Sequence, residues 1–204
     1  MDFCCGGKKT LEESCAKKKI NLESVIEDLN SLQQSSAGGH NYNEWNLDFL
    51  VDYIVNNHHS FVRSKLPEIN FYAEKVARVH GDRHPELIDI LQNVRVLSEE
   101  MMHHIQEEEE GLFHQIKELV QQNKSESIKD GIVEALEEDH DKAGRLIERI
   151  EELTNGFTPP EDACASYRVL FQNLAGFQDD LHKHVHLENN ILFPKALALE
   201  SRLN

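Results

Sequence analysis

Apolar residues recur every three or four positions through most of the chain, and no segment keeps the alternation a strand requires. The pattern predicts an all-α protein. Thr10-Leu-Glu-Glu13 reads as a capping box opening a short helix, and Asn21 as the cap of a second that carries Leu22, Val25, Ile26, Leu29 and Leu32. Ser35 to Gly39 then breaks the pattern with small polar residues and marks a boundary. Residues 1–36 are thus expected to form an N-terminal segment and residues 45–200 a separate bundle.

Past Trp45 the periodicity predicts four long helices. The first starts at Asn46, with Leu47, Leu50, Ile54, His58 and Phe61 on one stripe; Pro67 kinks or breaks it, and Gly81 ends it. The second opens at Pro85 and carries Leu87, Leu91, Val94, Leu97, Met101, His104, Glu108 and Leu112. The third follows Ser125 or Ser127, with Ile128, Ile132, Leu136, His140, Ala143, Ile147 and Ile150. The fourth opens with Thr158-Pro-Pro-Glu161 and carries Leu170, Leu174, Phe177, Leu181, His184, Glu188 and Ile191. Short links between long amphipathic helices imply an antiparallel four-helix bundle.

Each inward stripe therefore contains a histidine, namely His58, His104, His140 and His184, and two add a glutamate one turn on, Glu108 and Glu188. Within the run Glu107 to Glu110, phase turns only Glu108 inward and leaves the other three as a solvated face. A carboxylate buried among leucines costs several kcal/mol unless it is paired or ligates a metal. One histidine on an apolar stripe is most often a packed residue, and a single His-x3-Glu is common on helix surfaces. Here the frame His-x3-Glu-x3-Leu-Phe occurs twice, at His104 and at His184, in phase with two further histidines. That set is a candidate two-metal site, each glutamate bridging and each histidine ligating one ion.

Helix lengths agree at one end of the bundle. About 22 residues run from His58 to the first turn and about 20 from that turn to His104, which places the two level. The leg from His140 to His184 fits less well, so the fourth helix must overhang or bend, with Gly176 the candidate. His80 shares a stripe with Ile69, Ala73 and Val76, but at 1.5 Å per residue it lies roughly 33 Å from His58 and is left out of the site. His40, His59, His84, His103, His114, His182 and His186 are read as structural or exposed, with outer hydrogen bonding or an access path the alternative for His59, His103 and His186.

Composition sharpens this. Twelve histidines stand in 204 residues beside four cysteines, and 21 Lys+Arg against 37 Asp+Glu leave −16, which disfavours nucleic acid and anionic membranes as partners. Neither a membrane span nor a signal peptide is apparent, so a cytoplasmic protein is expected. Imidazole with bridging carboxylate suits two non-haem irons, or manganese, better than zinc. Glu100-x-x-His103 and Glu137-x-x-His140 match a ferritin-like alternative, but Glu100 and His103 fall off the stripe. Adjacent Cys4 and Cys5, flanked by Gly6-Gly7 and Lys8-Lys9, cannot bridge without distortion and are read either as a thiol site or as exposed, incidental thiols; Cys15 and Cys164 are read as packing residues.

The two frames, with Leu-Pro-Glu68, Val-Ala-Arg-Val-His-Gly81, Glu-Asp-His140-Asp and His-Leu-Glu-Asn-Asn-Ile-Leu-Phe-Pro194, resemble the haemerythrin-like domain of the repair-of-iron-centres proteins. Asp2 to Leu11 is similar to the Cys-Cys motif of that family's small N-terminal domain, which normally extends further ahead of the cysteines; an incomplete N-terminal segment is therefore expected. The resemblance covers essentially the whole chain. It implies a di-iron protein that helps restore iron–sulfur clusters damaged by oxidative or nitrosative stress, with ligands His58, His104, Glu108, His140, His184 and Glu188. Its partners would be damaged iron–sulfur proteins or cluster-assembly proteins, a homodimer is among the expected states, and it would be a repair protein rather than a conventional enzyme. The alternative is a di-iron reductase of nitric oxide or peroxide, or a sensor of small gases. Oxygen-carrying haemerythrins place a second histidine one turn from the first on the third helix; here those positions are Leu136 and Gly144, which disfavours reversible oxygen storage.

Overall fold

The computed structural model describes residues 10–34, 41–122, 128–129 and 131–203. Cys4, Cys5, the Ser35–Gly39 boundary, and Ser125 and Ser127 lie outside the described residues. Among those described, helices α1 (Leu11–Lys18), α2 (Leu22–Gln34), α3 (Leu47–Ile54), α4 (Ser60–His80), α5 (Glu86–Glu110), α6 (Leu112–Gln122), α7 (Ile132–Leu153), α8 (Ala165–Leu187) and α9 (Phe193–Leu203) are present, with no strand.

The N-terminal pair forms as the sequence reads. Thr10 Oγ1 accepts from the Glu13 backbone N–H at 3.1 Å, and Thr10 N–H donates to Glu13 Oε2 at 2.8 Å, which closes the capping box. Asn21 Oδ1 accepts from the Glu23 N–H at 2.8 Å and caps α2.

The bundle is made of four helical rods. Helix α3 runs through a wide π turn, Val55–His59, into α4; α8 runs through a second, Glu188–Leu192, into α9. Pro67 lies inside α4 without ending it. Helices α5 and α6 form one rod broken at Gly111, where an added Cβ would stand 2.6 Å from the Glu107 carbonyl oxygen and 3.3 Å from Ile132 Cδ1, so the close approach requires glycine. Around the bundle α4 packs on α5 and α8, and α5 packs on α7.

Two helix starts differ from the sequence reading. Helix α7 begins at Ile132, after Gly131 at φ +77°, rather than near Ile128, whose N–H is taken by Glu200 Oε1 at 2.8 Å. The fourth rod begins at Ala165 rather than at Thr158, because the chain turns through left-handed residues Asn155, Gly156 and Phe157 before it can re-enter a helix. The later start shortens that leg, and α8 runs through Gly176 without interruption. Cys164, expected in the core, is the exposed residue just before α8, whereas Cys15 is buried.

The apolar interior divides in two. One cluster joins α4, α5, α7 and α8 from Val62 to Val185, through Leu97, Ile147 and Phe177. The other joins α3, α6, α9 and the start of α7 through Leu50, Ile54, Phe113, Leu136, Leu192 and Ala196. The buried polar side chains His58, His59, His104, Glu108, His140, His184 and Glu188 fall, along every rod, at the junction of these clusters.

Candidate metal centre

Glu108 and Glu188 are both fully buried, and among the described residues neither has a lysine or arginine as ion-pair partner. Their oxygens meet imidazole nitrogens instead. Glu108 Oε2 lies 3.3 Å from His59 Nε2, and Glu188 Oε1 lies 2.9 Å from His184 Nε2 and 3.7 Å from His59 Nε2. On the other side, Glu108 Oε1 lies 3.3 Å from His104 Nε2, and Glu188 Oε2 lies 3.2 Å from His140 Nε2. The donors thus form two groups, His59–Glu108–His184–Glu188 and His104–Glu108–His140–Glu188, each with its ligand atoms within 4.8 Å of one another. Both glutamates belong to both groups, one oxygen facing each.

The donor chemistry fits a cation. Glu108 Oε1 and Oε2 and Glu188 Oε2 are buried without a hydrogen-bond partner. The Nε2 atoms of His104 and His140 approach to 2.8 Å, and those of His59 and His184 to 3.1 Å. Buried carboxylates and convergent imidazoles this close repel or desolvate one another unless protons or metal ions stand between them. Burial disfavours a protonated His59, yet the nearby Glu108 and Glu188 carboxylates lift its pKa to about 10. Burial likewise opposes a charged His140, and Glu188 carries it up to about 9. Burial and the charge of Glu188 both push Glu108 upward, while His104 and His59 bring it down to about 2. The pocket is a strong attractor of positive charge.

Outer partners aim the rings. A carboxylate only accepts, so His59 Nδ1–H donates to Glu109 Oε1 at 2.7 Å and turns Nε2 inward, where either a proton or a metal ion can sit. Arg63 in turn grips both Glu109 oxygens, at 2.9 and 3.0 Å. His140 Nδ1 stands 2.8 Å from Asn189 Oδ1 in the same role.

His104, Glu108, His140, His184 and Glu188 are brought together where the sequence places them. His58 is not among them: its Nδ1 contacts Asp180 Oδ1 at 3.0 Å and its ring stacks on His184. His59 takes the inner place instead. The cause is the π turn Val55–His59, whose extra residue rolls the following helix, so that Val62 rather than Phe61 continues the buried stripe. Glu109 is likewise no solvated residue but the support of His59, whereas Glu107 and His103 pair with each other at the surface. His186 engages Asn190 and stays outside the two groups.

A four-rod bundle with a histidine and carboxylate layer through its middle defines the class: residues 50–196 match the hemerythrin HHE cation binding domain. Residues 1–33 match ScdA_N, a domain of unknown function. The chain is 38% identical over 199 residues to the "Probable iron-sulfur cluster repair protein" of Haemophilus influenzae, covering 97% of this chain and 87% of that one. It is 36% identical to the iron-sulfur cluster repair protein YtfE of Pectobacterium atrosepticum, with 98% and 88% covered, and 33% identical to ScdA of Staphylococcus haemolyticus, with 96% and 87% covered. The chain belongs to this family of hemerythrin-domain iron–sulfur cluster repair proteins. Among the described residues no helix is long and apolar enough to cross a membrane.

Proposed function

We propose that the two donor groups hold two non-haem irons bridged by Glu108 and Glu188, with His59 and His184 on one and His104 and His140 on the other, and that the protein uses them to restore damaged iron–sulfur clusters. The observation that carries the reading is the division of each glutamate, one oxygen to each group. Two ferrous ions bring four positive charges to two carboxylates, and each group offers four protein donor atoms, a sparse set for a metal that takes up to six ligands. Such a site binds iron firmly enough to carry it and openly enough to give it up. When bound, iron supplies Lewis acidity and one-electron chemistry. The residues of the chain hold the ions, set the ring tautomers through Glu109 and Asn189, and keep bulk water out with the apolar clusters above and below.

The names of the relatives supply the cellular role, iron–sulfur cluster repair. Damaged cluster proteins are then the partners, and the cytoplasm is the setting. Cys4 and Cys5 are assigned the thiol step of iron delivery or reduction. The sparse donor set also favours a second reading, binding and reduction of nitric oxide or peroxide at the open positions.

The test is a transfer assay. Iron-loaded protein incubated with a dehydratase whose cluster has been damaged by peroxide restores activity and loses iron stoichiometrically, and Glu108→Leu protein restores none. Turnover of nitric oxide without iron loss or reactivation would replace this reading with the second one.

A further inference from the structure

Three of the four imidazoles in the metal layer are backed in a recurring way. His59 Nδ1 meets Glu109 Oε1 at 2.7 Å, and Arg63 grips that carboxylate from outside. His104 Nδ1 lies 3.8 Å from Asp139 Oδ2, a charge contact short of a hydrogen bond, and Lys142 Nζ donates to Asp139 Oδ1 at 2.7 Å. His140 Nδ1 faces Asn189 Oδ1 at 2.8 Å. The fourth, His184, is different: its Nδ1 is buried and has no hydrogen-bond partner among the described residues.

One turn before His184 on α8 stands Asp180, and the i, i+4 spacing puts the two side chains on one face of the helix. Asp180 Oδ1 takes the His58 Nδ1–H at 3.0 Å, while its Oδ2 is buried and also has no hydrogen-bond partner among the described residues. His58 is itself buried, and its ring lies parallel to that of His184, with 10° between the planes and 5.6 Å between centroids. The stack and the helical spacing both bring the carboxylate to the side of His184. A His184 ring that gives Nε2 to a metal ion keeps its proton on Nδ1, and a buried N–H left without an acceptor is costly. The unpartnered nitrogen and the unpartnered oxygen answer each other.

We propose that Asp180 is the positioning residue of His184: its Oδ2 takes the Nδ1–H of the metal-bound ring while its Oδ1 stays on His58. The inference rests on the proposed centre, in which His59 and His184 serve one ion and His104 and His140 the other. His58 then does for Asp180 what Arg63 does for Glu109 and Lys142 for Asp139. Because His58 directly precedes the ligand His59 in the π turn Val55–His59, that turn governs both imidazoles of one ion, the first directly and the second through Asp180. The supports of the other ion come from Asp139 on α7 and Asn189 in the turn Glu188–Leu192. Asp180 therefore sets how firmly one ion is held and leaves its neighbour alone.

The experiment mixes iron-loaded full chain with a chromophoric ferrous chelator, follows iron release in time, and records Mössbauer spectra of the same samples. In Asp180→Leu one of the two irons leaves about 10–100-fold faster than in wild type, the other keeps its rate, and only one of the two iron signals shifts. Asp180→Asn keeps the shape and one acceptor oxygen; it speeds the same iron by a smaller factor and carries the test if Asp180→Leu folds poorly. His58→Ala holds both irons as purified and speeds the same phase. Two irons whose release rates and signals are equal in wild type and both Asp180 variants would overturn the role of Asp180 and leave the centre standing. So would two irons quickened alike, as a general loosening of the bundle would produce. Wild-type chain holding fewer than two irons would overturn the centre itself, and this inference with it.

Discussion

His59 Nδ1 stands 2.7 Å from Glu109 Oε1, so the ring whose Nε2 meets Glu108 is held from behind by the next residue of the same helix. Glu108 and Glu109 point to opposite sides of one imidazole, one as donor to the centre and one as its support. Arg63, reaching from α4, keeps Glu109 in that position and its carboxyl below the usual range, against the effect of burial.

Removing this support should weaken metal binding without removing a ligand. Glu109→Ala, and less severely Arg63→Ala, are expected to lower affinity by about 10–100-fold, the usual cost of losing a ring-orienting partner. Competition against a chromophoric chelator measures it, with circular dichroism as the control for helix content.

The two adjacent histidines make opposite forecasts. His59→Ala should cost the centre one of its donor groups and lower iron per chain, whereas His58→Ala should leave the metal content near that of wild type. Elemental analysis of the two purified variants decides between them; equal losses would contradict the placement of His59.

That pair also shows what could be read from the sequence. Glu108 and Glu188 stood out because a charge on an apolar stripe needs a reason, and the helical period located His104, His140 and His184 because α5, α7 and α8 hold that period up to the site. The same period turns His58 inward, whereas the π turn through which α3 enters the site brings His59 to the two donor groups. A trace of the slip is in the sequence: from the buried Ile54 to the buried Val62 are eight residues, about 80° beyond two whole turns at 3.6 residues per turn. The late start of α8 was hidden for a different reason, since Thr158-Pro-Pro-Glu161 has every local feature of a helix entry and only the left-handed residues before it redirect the chain. The contact between His58 and Asp180 spans 122 positions, and periodicity carries no information about such a contact.

Chelation should destabilise the fold as well as empty the site. Metal bound at a thousandfold over its dissociation constant contributes about 4 kcal/mol, which for a chain of this size lowers the melting temperature on the order of 10 °C when withdrawn. A Glu108→Leu, Glu188→Leu double variant should show no chelator response, read by differential scanning calorimetry.

Asp162 gives a pH signature at the opposite end. Its hydrogen bond from His84, with the nearby Arg83 charge, holds its carboxyl below the ordinary value despite slight desolvation. A carboxylate so depressed contributes stability above its unfolded pKa and loses it as pH falls through the folded one. Asp162→Asn should therefore unfold at lower urea than wild type at about pH 5, and the difference should close as pH falls through the depressed pKa of the folded carboxyl.

The claim that Glu108 and Glu188 bridge two irons is tested most directly by Mössbauer spectroscopy of iron-loaded full chain, with iron counted on the same sample. The expected result is two irons per chain in an exchange-coupled pair, and loss of the coupling in Glu188→Leu while the helices persist. One iron per chain, or two uncoupled irons with spectra unchanged in Glu188→Leu, would contradict it.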